Sequence, residues 1–407
     1  MSPVRNLTIG RQSSAVFALR AMSLVHVPAA PWARPFLLRA VLMLASLLAA
    51  AAAQAQTKPI LTVEQECAAL AFAPDGKLAY AVRRTITTRR LEMQRDDLWM
   101  VTPGAKPRRL LDGKEVGGER LALGYAIQAI RWSPDGRRLA VETRTIVMLD
   151  EQENTAEGYG TVLLEQSGKE IRLQDGEFVL SRAHHSAWLG DGVTVAFLTE
   201  AMEDKLLHSI GTVRATAERG DMPFPGLVFA AVAWDAPRNA AVALQRDANL
   251  RGPARLVWLD LLKQTRRELV VVENFTGGLS VSPSGKRVAY FRGRDTLEIR
   301  DVEQPHLVAR VRVASGAFAW SSDETRVLLK RGELRKNGSL VWVPIPPLAT
   351  ESPAPGSPAT AQAGAVQPLL EPILSGLTFR DFALSPDGRL LAVTTPGNKH
   401  LAVYSMP

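Results

Sequence analysis

Three groups of residues in this 407-residue chain have types and spacings that could do chemistry. The first is a series of arginines: Arg83 with Arg84, Arg144, Arg246, and Arg292 with Arg294. A guanidinium is a planar fork of donors that matches a carboxylate through two parallel hydrogen bonds. Such a set would bind small carboxylates or an acidic peptide. The second is His184-His185. An imidazole can act as a general base or bind zinc, and Glu119 and Glu177 precede neighbouring repeats as carboxylates to pair with it. Adjacent residues of a strand point to opposite faces, so the two histidines do not readily chelate one metal. A hydrogen-bonded loop pair is the plainer reading, and the metal stays unknown. The third is the acidic segment 149–160, where Asp150, Glu151, Glu153 and Glu157 offer oxygens to a hard cation. It lacks the spacing and fixed glycine of a known calcium loop, which favours a solvated connection extending a hairpin.

A repeat supplies the elements that must position these residues. AFAPDGKLAYAV begins at Ala71, RWSPDGRRLAVETR at Arg131, SVSPSGKRVAYFRGR at Ser280 and ALSPDGRLLAV at Ala383. Each joins an apolar strand end to an alternating strand through a Pro-Asp-Gly type turn. Proline presets φ there and glycine accepts a positive φ, which makes a β-hairpin. Weaker copies begin at Ala187, Ala233 and Ala319. The large residue before each turn is Phe72, Trp132, Trp188, Trp234, Val281, Trp320 or Leu384, at spacings of 60, 56, 46, 47, 39 and 64 residues. A period of this size, with about four strands per unit, is a propeller blade. Trp99, Trp258 and Trp342 mark a second repeated position, so seven of the eight tryptophans are read as packing between blades.

The arginines fall in register on this frame, 11–13 residues past the anchor, where each second strand ends. Blade six has Lys330 and Arg331 nearby, blade three has Glu200 and blade seven has Thr395. Five of seven blades would then present a cation on one face, or arginine would simply solvate the turn ends.

These hairpin repeats resemble the TolB-like, WD-type β-propeller family over almost all of residues 57–407. The resemblance implies an all-β fold. TolB's separate α/β domain has no counterpart here, so the resemblance carries the fold and not the role of TolB. The repeats predict one propeller of seven four-stranded blades, with six blades and an irregular pair as the alternative. The last blade supplies three strands, and the segment KPILTVEQ, residues 58–65, is expected to close it as the fourth. Residues 344–368, rich in Pro, Ala and Ser, read as a flexible insertion between the third and fourth strands of blade six.

The first 56 residues hold five arginines and no acid, so without them the formal charge falls from +8 to +3. Arg34 and Arg39 precede the apolar run Ala40 to Ala53, and Ala53-Gln54-Ala55 offers small residues to signal peptidase. This is a secretory signal, with residues 1–21 as a possible leader extension and Met22 as an alternative start. The run of 14 is short of the roughly 20 residues of a membrane helix. The reading is therefore a periplasmic or secreted chain with no stable membrane span after cleavage. The near-neutral mature part argues against nucleic acid. A single cysteine, Cys67, excludes a disulfide scaffold and reads as buried and inert.

No GxSxG, HExxH, P-loop or EF-hand motif occurs. The expected function is a monomeric, non-enzymatic scaffold without cofactor, binding a protein or peptide of the cell envelope on the channel face. Long loops at residues 83–96, 113–127, 144–158 and 218–228 would contribute. The alternative is a lactonase- or hydrolase-type enzyme with a metal or histidine at the channel mouth.

Overall fold

The S-P-D-G turns show why these segments become hairpins. In the second repeat, the Asp135 carboxylate accepts the Arg137 amide at 3.0 Å and the Ser133 hydroxyl at 2.6 Å, and the Ser133 oxygen accepts the Arg138 amide at 2.9 Å. Ser385, Asp387 and Arg389 repeat this pattern in the last repeat, and Ser321, Asp323 and Thr325 in the sixth. Gly136 and Gly388 take φ of 70° and 73° at the turn exit; in the sixth repeat Glu324 occupies that conformation at 58°. The short polar side chains replace water on the turn amides, and the alternating strands follow.

The computed structural model describes residues 59–87, 92–113, 122–148, 155–172, 179–200, 207–215, 220–247, 253–293, 295–312, 318–331, 339–346, 367–368, 382–395 and 400–406. All belong to one unit, 55–407. It is an antiparallel all-β propeller. Blade 1 comprises Cys67–Phe72, Leu78–Val82, Asp97–Val101 and Arg108–Leu111. Blade 2 comprises Ala122–Trp132, Arg138–Met148, Thr155–Glu165 and Val179–Ser181. Blade 3 has His184–Trp188, Thr194–Glu200 and His208–Arg214, with Asp221 bridged to Thr212 outside them. Blade 4 has Val228–Asp235, Ala240–Arg246, Ala254–Asp260 and Thr265–Val272, and a single pair, His208 with Phe229, joins it to blade 3. Blade 5 runs from Phe275–Val281 through Arg287–Arg292 and Thr296–Asp301 to Leu307–Arg312. In blade 6, Phe318–Trp320, Arg326–Arg331 and Ser339–Pro344 are followed by Gln367–Pro368, which pairs with the third strand. Blade 7 has Phe382–Leu384, Leu390–Thr395 and His400–Ser405, and the N-terminal strand Leu61–Val63 pairs with the last of these, Leu61 opposite Val403.

Seven apolar clusters lie between consecutive blades. One joins blades 6 and 7 through Leu340, Trp342, Leu391 and Tyr404; another joins blade 7 to blade 1 through Leu401, Val403, Tyr80 and Cys67. The first strands of adjacent blades touch at the junctions 7–1, 1–2, 2–3 and 4–5, which makes the first strand the inner one. Three of the four anchor tryptophans reach back to the preceding blade. Trp132 Nε1 donates to the Ala71 carbonyl at 3.1 Å, Trp320 Nε1 to Ser280 Oγ at 3.2 Å, and Trp234 Nε1 to the His185 carbonyl. Each thus seals an apolar junction and gives its own N–H a partner. Cys67 is buried and its thiol is pushed up to about 12, by burial first and by Glu66 second, which keeps it protonated. Among the described residues no helix is long and apolar enough to cross a membrane.

Blade 2 departs from its neighbours. Its first three strands each run eleven residues, and the second and third pair over all eleven, from Arg138–Glu165 to Met148–Thr155. The other described strands run two to eight. Three of the expected long loops are therefore partly strand. Residues 144–148 and 155–158 extend the blade-2 hairpin, and 122–127 extend its inner strand. Residues 85–87 and 92–94 form a hairpin of their own. The cause is local: Thr143, Thr145 and Ile146 are β-branched, and Thr145 Oγ1 donates to the Gly158 carbonyl at 3.3 Å. The blade-1 hairpin lies along this extension, where Arg95 bridges Tyr125 in parallel and the Asp96 amide donates to the Tyr125 carbonyl at 2.8 Å. Together they form an arm beyond the blade bodies, at the end where second strands turn into third.

Candidate functional site

The arm carries Arg144 and Glu157, two positions apart in the ladder, because Arg144 pairs with Tyr159 and Ile146 with Glu157. The Arg144 guanidinium engages both oxygens of Glu157, with Nε 3.0 Å from Oε2. This bidentate pair stands on an exposed ribbon, and Tyr159 beside it is 47% exposed. The acidic segment therefore spends Glu157 on an arginine; Asp150, Glu151 and Glu153 lie outside the described residues.

The other arginines of the series are also held by carboxylates. Arg83 lies between Glu66 (3.5 Å) and the fully buried Asp96 (3.7 Å), and Arg84 Nη2 is 2.5 Å from Asp97 Oδ2. Asp96 accepts the Ile127 amide at 2.9 Å; burial pushes its pKa up to about 6, with Arg83 the leading opposing influence. Arg292 lies 3.2 Å from Glu298 and 3.9 Å from Glu273. Glu298 is buried and gathers Tyr290, Arg300 and Arg310 as well, at 2.7, 3.2 and 3.0 Å. Among the described residues Arg246 alone of the five described members has no carboxylate partner. The series is thus mostly the cationic half of ion pairs, and its members sit on separate blades. Arg294 and Glu119, like Glu177, lie outside the described residues.

The two histidines part company at a bulge. The register of blade 3 shifts between His184 and Ala187, and His185 takes a left-handed φ of 52°. Its ring then turns into the protein. Nε2 donates to the Val232 carbonyl at 2.7 Å, which fixes the tautomer, and Nδ1 accepts from Arg131 Nη2 at 3.0 Å. Arg131 pairs with Glu142, whose Oε1 also accepts the Ser186 amide at 2.9 Å. Burial first, and the Arg131 charge second, push the His185 pKa down to about 3. Both its nitrogens are used, so it is a neutral joint between blades 2, 3 and 4.

His184 faces a different environment. Its ring meets that of His208 edge-on, with centroids 4.6 Å apart, and Glu200 is paired with His208 in the ladder. Burial and the neighbouring His184 hold His208 below the ordinary imidazole range, against the pull of Glu200. Nδ1 of His208 is buried and has no hydrogen-bond partner among the described residues. These groups line a cleft of about 890 Å³ between blade 2 and blade 3, with Gln128, Tyr159 and Arg182 along its rim. Among the described residues no three metal-ligating side chains converge.

Sequence reasoning brought His184 and Glu200 to notice but missed His208, Tyr159 and Arg182. His208 stands opposite Glu200 across a hairpin, so it was accessible only through that hairpin's register.

No family model matches the sequence, and no curated protein matches it. Among solved structures the chain is similar to the β-propeller domain of Cps50 (Swd1) from Myceliophteria thermophila. That match has a TM-score of 0.53 and 13% identity, and covers 86% of this chain and 99% of that one. It is also similar to TolB from Acinetobacter baumannii, at a TM-score of 0.42 and 15% identity over 66% of this chain. The chain spans 61% of that TolB chain. The likeness at this identity is one of fold.

Proposed function

We propose that this chain is an exported, non-enzymatic β-propeller that binds a protein or peptide of the cell envelope, docked on the face where the arm of blades 1 and 2 rises. The observation that carries the reading is the arm itself. Three eleven-residue strands in a ring of shorter ones, with the blade-1 hairpin laid along them, build a projecting ribbon. Its base, Tyr125 and Ile127, packs into the core between blades 1 and 2, while Thr145, Glu157 and Tyr159 stay accessible, and a rigid scaffold presenting such a feature suits recognition of a partner. Export rests on the basic stretch, apolar run and small-residue site within residues 1–56. Arg246 is the member of the arginine series left to meet an acidic group of the partner. Arg83, Arg84, Arg144 and Arg292 brace the face through their carboxylates.

The test uses the full chain expressed with its own N-terminus in a bacterial host. Fractionation should place it in the periplasm, shortened by about the first 56 residues. A photo-crosslinking residue at Thr87, exposed on the blade-1 hairpin and outside the cleft between blades 2 and 3, should capture an envelope protein or peptide. The same residue at Asp75, in a first-to-second strand turn at the opposite end of blade 1, should not. Retention in the cytoplasm would overturn export. Crosslinks from Asp75 alone, or from neither position, would overturn docking on the arm.

A further inference from the structure

We infer that the cleft between blades 2 and 3 is a binding site for a neutral, hydroxyl-rich ligand of the size of a short saccharide. This goes beyond docking on the arm: Thr145, Glu157 and Gly158 at the arm's base are one wall of the cleft, while the blade-1 hairpin of residues 85–87 and 92–94 lies outside its lining.

Size comes first: about 890 Å³ is ample for a small molecule and too little for a folded partner. Charge comes second. Arg144 is matched by Glu157 and Arg131 by Glu142, while Arg182 and Glu200, one each, stand on the rim. The formal charges cancel, so no net field recruits an anion or a cation. Hydrogen bonding comes third. The Gln128 amide both donates and accepts, and His208 keeps a buried Nδ1 without a partner. A hydroxyl group likewise donates and accepts, so it can satisfy either tautomer of that imidazole and the amide together. The last point is Tyr159. Its ring is 47% exposed at the cleft wall, an apolar plane of the kind that takes the C–H face of a pyranose. One buried, unpartnered imidazole nitrogen and one exposed amide lining the same cleft, beside a flat aromatic surface, suit a ligand with hydroxyls on its edge and carbon on its face.

The experiment is calorimetric titration of the purified full-chain product with neutral trisaccharides of glucose, galactose and N-acetylglucosamine. A trisaccharide of glucuronic acid serves as the charged comparison. At least one neutral sugar should bind. Tyr159→Ala and Gln128→Ala, both at exposed positions, should weaken it about tenfold each. His208→Phe should do the same, and Lys263→Ala, in an exposed turn of blade 4, should leave it unchanged. Circular dichroism of each variant checks the fold. Co-sedimentation with insoluble cell-wall glycan distinguishes a polymer source from a free sugar. Binding of the soluble trisaccharide without co-sedimentation assigns the free sugar, and co-sedimentation lost in Tyr159→Ala assigns the polymer. No binding of any neutral sugar at millimolar concentration would overturn the inference. So would tighter binding of the acidic sugar, or binding untouched by Tyr159→Ala and Gln128→Ala. Capture at the arm is read separately, so failure of one proposal leaves the other standing.

Discussion

Lowering the pH from 7 to 5 protonates an ordinary histidine but not His185. The groups around its ring are the Arg131 guanidinium at 3.0 Å, the Val232 carbonyl at 2.7 Å, the nearby Glu142 paired with Arg131, and the imidazoles of His184 and His208. A proton on Nδ1 would have to sit against the Arg131 cation, and burial removes the water that would soften the contact. The pKa is accordingly pushed down to about 3 in the folded state, against about 6.5 in an unfolded chain. The sign follows from proton counts. Between these two values the unfolded state binds one more proton than the folded state, so stability rises with pH across that window. It is fully present above pH 6.5 and lost progressively as pH falls toward 3. At pH 5 the unfolded histidine is about 1.5 units below its pKa, which costs the fold about 2 kcal/mol at this one position. The assay is urea unfolding followed by tryptophan fluorescence at pH 7 and pH 5, comparing the native chain with His185→Gln. A glutamine can still donate to Val232 and accept from Arg131, but it does not titrate. The native chain should lose about 2 kcal/mol more than the variant between the two pH values. Equal losses would refute the claim that His185 is held neutral by its position.

Three further outcomes are expected. Glu298→Ala leaves Arg292, Arg300 and Arg310 crowded together without their buried carboxylate, and should cost about 3–5 kcal/mol in urea unfolding. Leu401 is fully buried in the junction of blades 7 and 1. Leu401→Ala should therefore cost about 2–5 kcal/mol, and hydrogen exchange should show faster opening of Leu61–Val63, which pairs with its strand. A Cβ at Gly190 would stand 2.5 Å from the Pro237 carbonyl oxygen, where blades 3 and 4 meet. Gly190→Ala should lower stability by about 1–3 kcal/mol, and an unchanged melting temperature would show that this junction has slack.

The sequence by itself determined the blades. A Pro-Asp-Gly turn is specified by the φ of its own residues, and an alternating strand by the period of its own side chains. Ser133, Asp135 and Arg138 therefore reveal a hairpin without reference to any distant residue. The anchor tryptophans were legible for the same reason, since their recurrence marks one geometric position, and the N–H groups of Trp132, Trp234 and Trp320 reach back to the preceding blade. What the arginines do was decided only by tertiary structure. The acids that hold Arg84, Arg144 and Arg292 are Asp97, Glu157 and Glu298, each on the third strand of its own blade. The register of two strands, and not their spacing in the chain, brings each pair together. The arm was legible only in part: residues 149–160 read as a connection extending the blade-2 hairpin, but that 144–148 and 155–158 pair as strand emerges only from the ladder. The division of labour between His184 and His185 turns on a single bulge with a left-handed residue. That bulge exists because Arg131 and Glu142 of blade 2 and Val232 and Trp234 of blade 4 hold it from both sides. Local rules fix turns and strands; a cleft between two blades depends on how side chains far apart in the chain meet across the gap, which no local pattern encodes.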